Sequence, residues 1–309
     1  MKYFKPKFWD YKNNTLSIIL RPISYLFYCL TIFRKNLTSS EKFKIPIICV
    51  GNIYLGGTGK TPVCIEIVNE LKKRGKKPVI VKKYYKTHKD EHKLIKNKLG
   101  SLIINKNRSR AIISAQNEDF DIAILDDGFQ DYKIKKDLSI ICFNSKQLIG
   151  NGLLLPAGPL REGLKSIKRS KIIIINGKKN KEFEDNIFKI SKNIRIFYSE
   201  YLPKNISKFK NKNVFAFAGI GNPSNFFDLL TKHEFNVCKT KSFPDHYKFK
   251  KKEIDELIKE ADKKNLQLVT TEKDFYRIKD FGYNKIEFLE INLVIEEKDK
   301  FIEEIISNL

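Results

Sequence analysis

Paired cysteines, arginine and low-complexity linkers are scarce in this chain, and each scarcity excludes something. The five cysteines (Cys29, Cys49, Cys64, Cys142, Cys238) are odd in number and show no C-x-x-C or zinc-ligand spacing. Neither a disulfide-stapled scaffold nor a zinc module is expected. They lie mostly within apolar runs and read as buried, reduced thiols of a cytoplasmic protein. Of 60 basic residues only nine are arginine, leaving 51 lysines. A net charge of +24 would ordinarily suggest nucleic acid or an anionic membrane, but forked phosphate recognition favours arginine. No RNA- or DNA-binding motif appears, and aromatics do not interleave with arginine as a stacking platform would need. Most of the charge therefore reads as a solvated face, and no nucleic-acid partner is expected.

Long apolar runs are also few, with one exception. Leu16 to Phe33 (LSIILRPISYLFYCLTIF) is strongly apolar, interrupted only by Arg21-Pro22. No small-residue cleavage site follows, so a removable signal peptide is not expected. Lys2, Lys5, Lys7 and Lys12 precede it, Arg34 and Lys35 follow, and Phe4, Phe8, Trp9 and Tyr11 are interleaved. That pattern suits a helix lying in a membrane interface, its cations meeting anionic headgroups. A helix packed on the protein's own core and a transmembrane span are the alternatives.

At 309 residues the chain can hold one large α/β domain or two smaller ones. Strand-like runs at Pro46–Val50, Pro78–Val81, Leu102–Ile104, Ile122–Leu125, Leu138–Phe143, Lys171–Ile175 and Ile194–Tyr198 alternate with helix-like stretches. This predicts a mostly parallel sheet with helices on both faces. A second series follows: Val214–Ala218, a helix from Pro223, Asn236–Lys239, a helix over Lys251–Ala261, Leu266–Thr270, Lys285–Ile291 and a final helix, Lys298–Ile306. The polar stretch Pro203–Asn213 is the expected boundary. The reading is thus an anchoring helix at 1–35, a P-loop core at 36–205 and a smaller α/β lobe at 206–309.

Val50 to Pro62 (VGNIYLGGTGKTP) carries the chemistry most openly. A glycine-rich turn between strand and helix aims several backbone N–H groups at one spot, and the helix N-terminus adds partial positive charge. Gly56, Gly57, Thr58 and Gly59 would cradle nucleotide phosphates, Lys60 would reach the outer ones, and the Thr61 hydroxyl would ligate Mg²⁺. Tyr54 stands where the strict pattern has its first glycine. Asp126-Asp127-Gly-Phe-Gln130 ends an apolar strand, where P-loop proteins place the metal-side acid, with Gln130 a possible further oxygen donor.

Three more segments are chemically dense. Gly150 to Glu162 (GNGLLLPAGPLRE) is a shaped loop whose Arg161 could steady developing phosphate charge, or else form a surface ion pair with Glu162. Ser242 to Tyr247 (SFPDHY) sets Asp245 beside His246, able to orient a hydroxyl acceptor and take its proton. Asp90-Glu91-His92 is either a polar surface turn or a catalytic carboxylate after the second strand. Thr270 to Asp274 (TTEKD) follows another strand and could line a cleft or cap a helix.

Together GGTGKTP (56–62), DDGFQ (126–130), GNGLLLPAGPLRE (150–162), FAGIGNP (217–223), FPDHY (243–247) and TTEKD (270–274) resemble the tetraacyldisaccharide 4′-kinase family of Gram-negative bacteria, in the family's order. The family's P-loop also lacks the glycine that Tyr54 replaces. The resemblance implies a P-loop NTPase-like core lobe and a smaller second lobe that close over the nucleotide. It implies transfer of the γ-phosphate of ATP to the 4′-hydroxyl of a tetraacylated glucosamine disaccharide 1-phosphate, in lipopolysaccharide synthesis, at the cytoplasmic face of the inner membrane. Lys60 and Thr61 would serve phosphate and Mg²⁺, Asp126, Asp127 and Gln130 the metal side, and Arg161 and Glu162 the active-site loop. His246 with Asp245 would assist a carboxylate for which Asp90 is the nearest match. Lys82-Lys83-Tyr84-Tyr85-Lys86 departs from the family's S-R-G-Y-G segment, the loop before Asp90 is short, and Asp131 replaces a histidine. The expected partners are the acylated disaccharide and an anionic inner-membrane surface, with no obligate protein partner. The competing reading is a P-loop ATPase or GTPase switch that binds a protein or nucleic-acid partner.

Overall fold

The computed structural model describes residues 5–85 and 89–309, and the chain folds as two units. Lys2, Phe4 and Lys86, named above, lie outside the described residues. The larger unit comprises residues 6–84, 99–200 and 293–309, and the smaller residues 85–98 and 201–292.

The larger unit is built on an eight-stranded sheet. Its strands are β1 (Ile47–Gly51), β2 (Pro78–Lys83), β3 (Ile103–Asn105), β4 (Ile122–Asp126), β5 (Leu138–Asn144), β6 (Ile172–Asn176), β7 (Arg195–Pro203) and β12 (Ile291–Ile295), in the order β12-β7-β6-β5-β1-β4-β2-β3. From β3 across to β7 every pairing is parallel. β1, β4 and β5 are buried along their whole length, which is why they read as continuous apolar runs rather than alternating ones. Helices α1 (Thr15–Asn36), α2 (Lys60–Lys73), α4 (Arg108–Asn117), α5 (Lys181–Ile190) and α9 (Lys298–Ile306) complete this unit. β1 is central, and its carboxyl end feeds the glycine loop at a reversal of strand order, where open α/β sheets bind ligands.

The smaller unit has a four-stranded parallel sheet, β11-β10-β8-β9, made of β8 (Asn213–Ala218), β9 (Asn236–Ser242), β10 (Gln267–Thr271) and β11 (Ile286–Leu289). It also carries α3 (from Lys89 to Leu99), α6 (Pro223–Lys232), α7 (Lys251–Lys263) and α8 (Glu272–Ile278).

The observed division departs from the expected lobes in two places. The single strand expected at Lys285–Ile291 is two, β11 and β12, which belong to different sheets. Residues 293–309 therefore belong to the larger unit, not to a lobe spanning 206–309, and Phe301, Ile302 and Ile305 of α9 are fully buried there. Residues 85–98, expected in the core, belong to the smaller unit.

Helix α1 does not hide its apolar surface within the chain. Its only buried residues are Ser17 and Ser24, while Ile19, Tyr25, Leu26 and Phe33 are exposed. The alternative of a helix packed on the protein's own core does not hold. Two cysteines are likewise exposed, Cys29 and Cys238, whereas Cys49, Cys64 and Cys142 are buried as expected.

Candidate active site

In the larger unit the glycine loop wraps the start of α2. Gly59 caps that helix with φ +87°, a left-handed conformation that glycine adopts without a Cβ penalty. The buried Asn52 shapes the loop from inside, its Nδ2 donating to Gly56 O (3.2 Å) and Thr58 Oγ1 (2.9 Å). Lys60 and Thr61 are the first two residues of α2, beside the N–H groups that have no partner within the helix.

The parallel pairing of β1 with β4 brings Asp126 opposite Val50 and so to the loop. Thr61 Oγ1 donates to Asp126 Oδ2 at 2.8 Å, and Lys82 Nζ, at the end of β2, pairs with the same oxygen. Asp126 is fully buried, yet its Oδ1 makes no hydrogen bond. A buried carboxylate oxygen without a protein donor is open to a water or a cation. With the Thr61 hydroxyl adjacent, the donor set fits a hard cation such as Mg²⁺, which takes one or two protein oxygens and completes its shell with phosphate and water.

Asp127 follows in a left-handed turn, φ +61°. Arg161 Nη1 donates to both its oxygens, at 3.0 and 3.2 Å, and Lys60 Nζ lies 3.7 Å from Oδ1. Burial works to raise this carboxyl's pKa, but Lys60 and Arg161 overcome it and hold it well below the usual carboxylate range. Gln130 accepts from Arg161 (3.4 Å) and donates to Asn52 O (2.9 Å), bridging the loop and the acids. Lys60, Thr61, Asp126, Asp127, Gln130 and Arg161 thus converge, as expected.

Glu162 does not pair with Arg161. It pairs with Arg169, whose guanidinium stacks on Phe129 at 4.0 Å, so Arg161 stays with Asp127. Asp131 binds Arg108 Nη1 (3.2 Å), while Arg108 Nη2 donates to Asp127 O (2.7 Å) and supports the acidic turn. Arg108 and Arg169 carried no motif signal beyond being two of nine arginines.

The smaller unit holds a second cluster. Asp90 sits in the first turn of α3 and is 4% exposed, so the surface-turn reading does not hold. Arg277 donates twice to Asp90 Oδ2, from Nε at 2.9 Å and Nη2 at 2.6 Å. Its Nη1 reaches Gly219 O (2.6 Å) and Asp274. Asp274 also accepts from Gly219 N and from the Thr271 hydroxyl, both at 2.8 Å. The FAGIGNP and TTEKD segments are therefore one scaffold around an arginine.

His246, at φ +53° in the FPDHY turn, places Nδ1 3.8 Å from Asp90 Oδ1. Asp245 turns back to accept from His246 N at 2.9 Å. Lys273 Nζ pairs with Glu91 Oε1 at 2.8 Å. Burial works against the Lys273 ammonium, yet Glu91 and Asp245 keep its pKa above the ordinary lysine value. Both Arg277 contacts fall on Oδ2, which leaves Oδ1 on the histidine side. Arg277 was missed by sequence reasoning, while Lys273 and Glu91 stood inside the TTEKD and Asp90-Glu91-His92 segments with no role of their own. The available signal was Arg277's i,i+3 spacing from Asp274.

Residues 16–309 match the family described as LpxK, tetraacyldisaccharide-1-P 4′-kinase. The chain belongs to this family. The tetraacyldisaccharide 4′-kinase of Pelagibacter ubique is 40% identical over 313 residues, covering 99% of this chain and 98% of its own. That of Haemophilus influenzae is 32% identical over 95% of this chain and 93% of its own. The crystal structure of LpxK from Aquifex aeolicus, solved in complex with ATP, is similar with a TM-score of 0.73 at 26% identity, covering 95% of this chain and 99% of that one. Membership of the LpxK family makes the chain a kinase with a P-loop fold, and the nucleotide-switch reading is set aside.

Proposed function

We propose that the chain transfers the γ-phosphate of ATP to the 4′-hydroxyl of a tetraacylated glucosamine disaccharide 1-phosphate at the cytoplasmic face of the inner membrane. The observation that carries this beyond family membership is the pairing of Thr61 and Lys82 with Asp126, whose Oδ1 is buried without a donor. The loop from Gly56 to Gly59 binds the phosphates through backbone N–H groups. Lys60 and Arg161, now balancing Asp127, turn toward phosphoryl oxygens as charge develops there. Thr61 and Asp126 would hold Mg²⁺, with Asp127 and Gln130 behind them; the ion would supply charge neutralisation between phosphate oxygens.

Asp90 is the group that takes the acceptor's proton. Arg277 holds its orientation through Oδ2, so Oδ1 is the accepting oxygen. His246 orients the acceptor, and Asp245 fixes the turn that carries it. The decisive assay uses radiolabelled ATP with tetraacylated disaccharide 1-phosphate in detergent micelles. Labelled lipid is expected; intact, folded protein that yields none overturns the acceptor assignment.

Membrane association is supported by α1, 22 residues long, whose most apolar 18 residues have a mean hydropathy of 1.7 and are 11% buried. The seven-residue spacing that puts Ser17 and Ser24 on the protein side puts Ile19, Leu26 and Phe33, with Ile23 and Leu30, on the opposite face. Arg34 and Lys35 close the helix. The hydrogen bonds of Ser17 Oγ with Asn151 Nδ2 and of Ser24 Oγ with Leu154 O suit a helix lying in the interface rather than crossing it. Cys29 is exposed on α1 and Cys238 on β9. Anionic vesicles are expected to slow modification of Cys29 by a membrane-impermeant maleimide roughly tenfold, without changing Cys238. Equal rates at Cys29 with and without vesicles would refute the anchor.

A further inference from the structure

Helix α1 is built inside out, with hydroxyls facing the protein and apolar side chains facing away. Those hydroxyls make specific bonds to one loop. Ser24 Oγ donates to Leu154 O (2.9 Å) and accepts from Ala157 N (3.0 Å). Ser17 Oγ accepts from Asn151 Nδ2 (3.1 Å), and the same nitrogen donates to Ala157 O (2.9 Å). Asn151 Oδ1 accepts from Leu153 N (3.1 Å), so the buried side chain stitches the loop to itself and to the helix. Just before the helix, Trp9 adds Nε1 to Pro156 O (3.1 Å) and accepts from Asn151 N (2.8 Å).

The far side of the loop is held by the segment entering the P-loop. Leu55 N donates to Pro159 O (2.8 Å) and Arg161 N to Ile53 O (2.7 Å). Residues 151–160 are therefore clamped between α1 and residues 53–55, and Arg161 emerges at the end of the clamp beside Asp127. Every one of these contacts lies within the larger unit.

We propose that α1 sets the position of Arg161, with Asn151 as the positioning residue through which it acts, so that seating α1 in a bilayer tightens the nucleotide site. The proposal rests on the interfacial reading of α1. A bilayer that favours the docked helix must, by linkage, favour the loop geometry that the docked helix holds, and nucleotide binding must in turn favour the membrane-bound form.

The test measures binding of the fluorescent nucleotide mant-ATP with Mg²⁺ to the full chain, with and without vesicles of 30% phosphatidylglycerol in phosphatidylcholine. Vesicles are expected to tighten binding by wild-type protein at least about fivefold. Ser17→Ala/Ser24→Ala should still sediment with vesicles, because its apolar face is intact, but the gain should fall below about twofold. Asn151→Ala should do the same, and Ser24→Ala alone is the milder variant should the others melt early. A merely structural role would weaken binding equally with and without vesicles. Wild-type protein that sediments but gains no affinity overturns the coupling, as does a folded serine double variant that keeps the full gain. Wild-type protein that does not sediment overturns the interfacial reading and the coupling together. Lipid phosphorylation in micelles separately decides the kinase assignment.

Discussion

Lys60→Ala is expected to lower kcat roughly 10²–10³-fold, the usual cost of removing one charge-stabilising donor from a transition state, with the fold retained. Lys60 is the first residue of α2 and its ammonium stands 3.7 Å from Asp127 Oδ1. Alanine is a strong helix former, so the helix start tolerates the change. Asp127 keeps Arg161 at 3.0 Å as counter-charge, so no buried anion is left unpaired. What disappears is the mobile positive charge able to leave Asp127 for a phosphoryl oxygen. Steady-state kinetics beside thermal unfolding checks this. Activity above about one tenth of wild type, in protein with an unchanged melting temperature, would mean that Arg161 or Lys82 supplies the charge instead.

Asp90→Asn is the second large effect, with kcat falling roughly 10²–10⁴-fold, the range for losing a general base, and ATP affinity changing less than about threefold. Asparagine preserves shape and leaves one oxygen to accept from the Arg277 fork. Alanine would instead strand that guanidinium, which also serves Asp274 and Gly219, and would mix a stability loss into the reading. The amide cannot accept the proton that Oδ1 is proposed to take. Measuring kcat and nucleotide affinity separately decides the matter. Near-normal turnover would transfer the base role to His246, 3.8 Å from Asp90 Oδ1.

The parallel core was legible because buried strands write themselves as apolar runs bounded by turn residues. Ile122–Asp126 and Leu138–Asn144 fall within a residue of their expected ends. The phosphate side was legible for a related reason. Lys60, Thr61 and their glycines are contiguous, and Asp126 follows from the habit of parallel sheets to end neighbouring strands together. The second cluster was only half visible. Asp90 and His246 stood in recognisable segments, but Arg277, which joins them to Gly219 and Asp274, acts across long sequence separations that leave no local pattern. The break at Glu290 was invisible for the opposite reason. Ile286 to Ile295 is a mostly apolar stretch with no glycine or proline, and the identity of the pairing strands is what separates β11 from β12.

That break has a consequence for how the protein is made. The larger unit starts first on the ribosome, yet β12 and α9 join it only after the whole of residues 201–292 has been synthesised. The smaller unit can complete itself while its host still lacks an edge strand and the apolar side chains Phe301, Ile302 and Ile305, each contributing about 1.5–3 kcal/mol on burial. Loss of residues 293–309 would therefore strip the nucleotide-binding unit rather than the lobe that precedes them in the chain. The unit that begins to fold earliest is the one that finishes last.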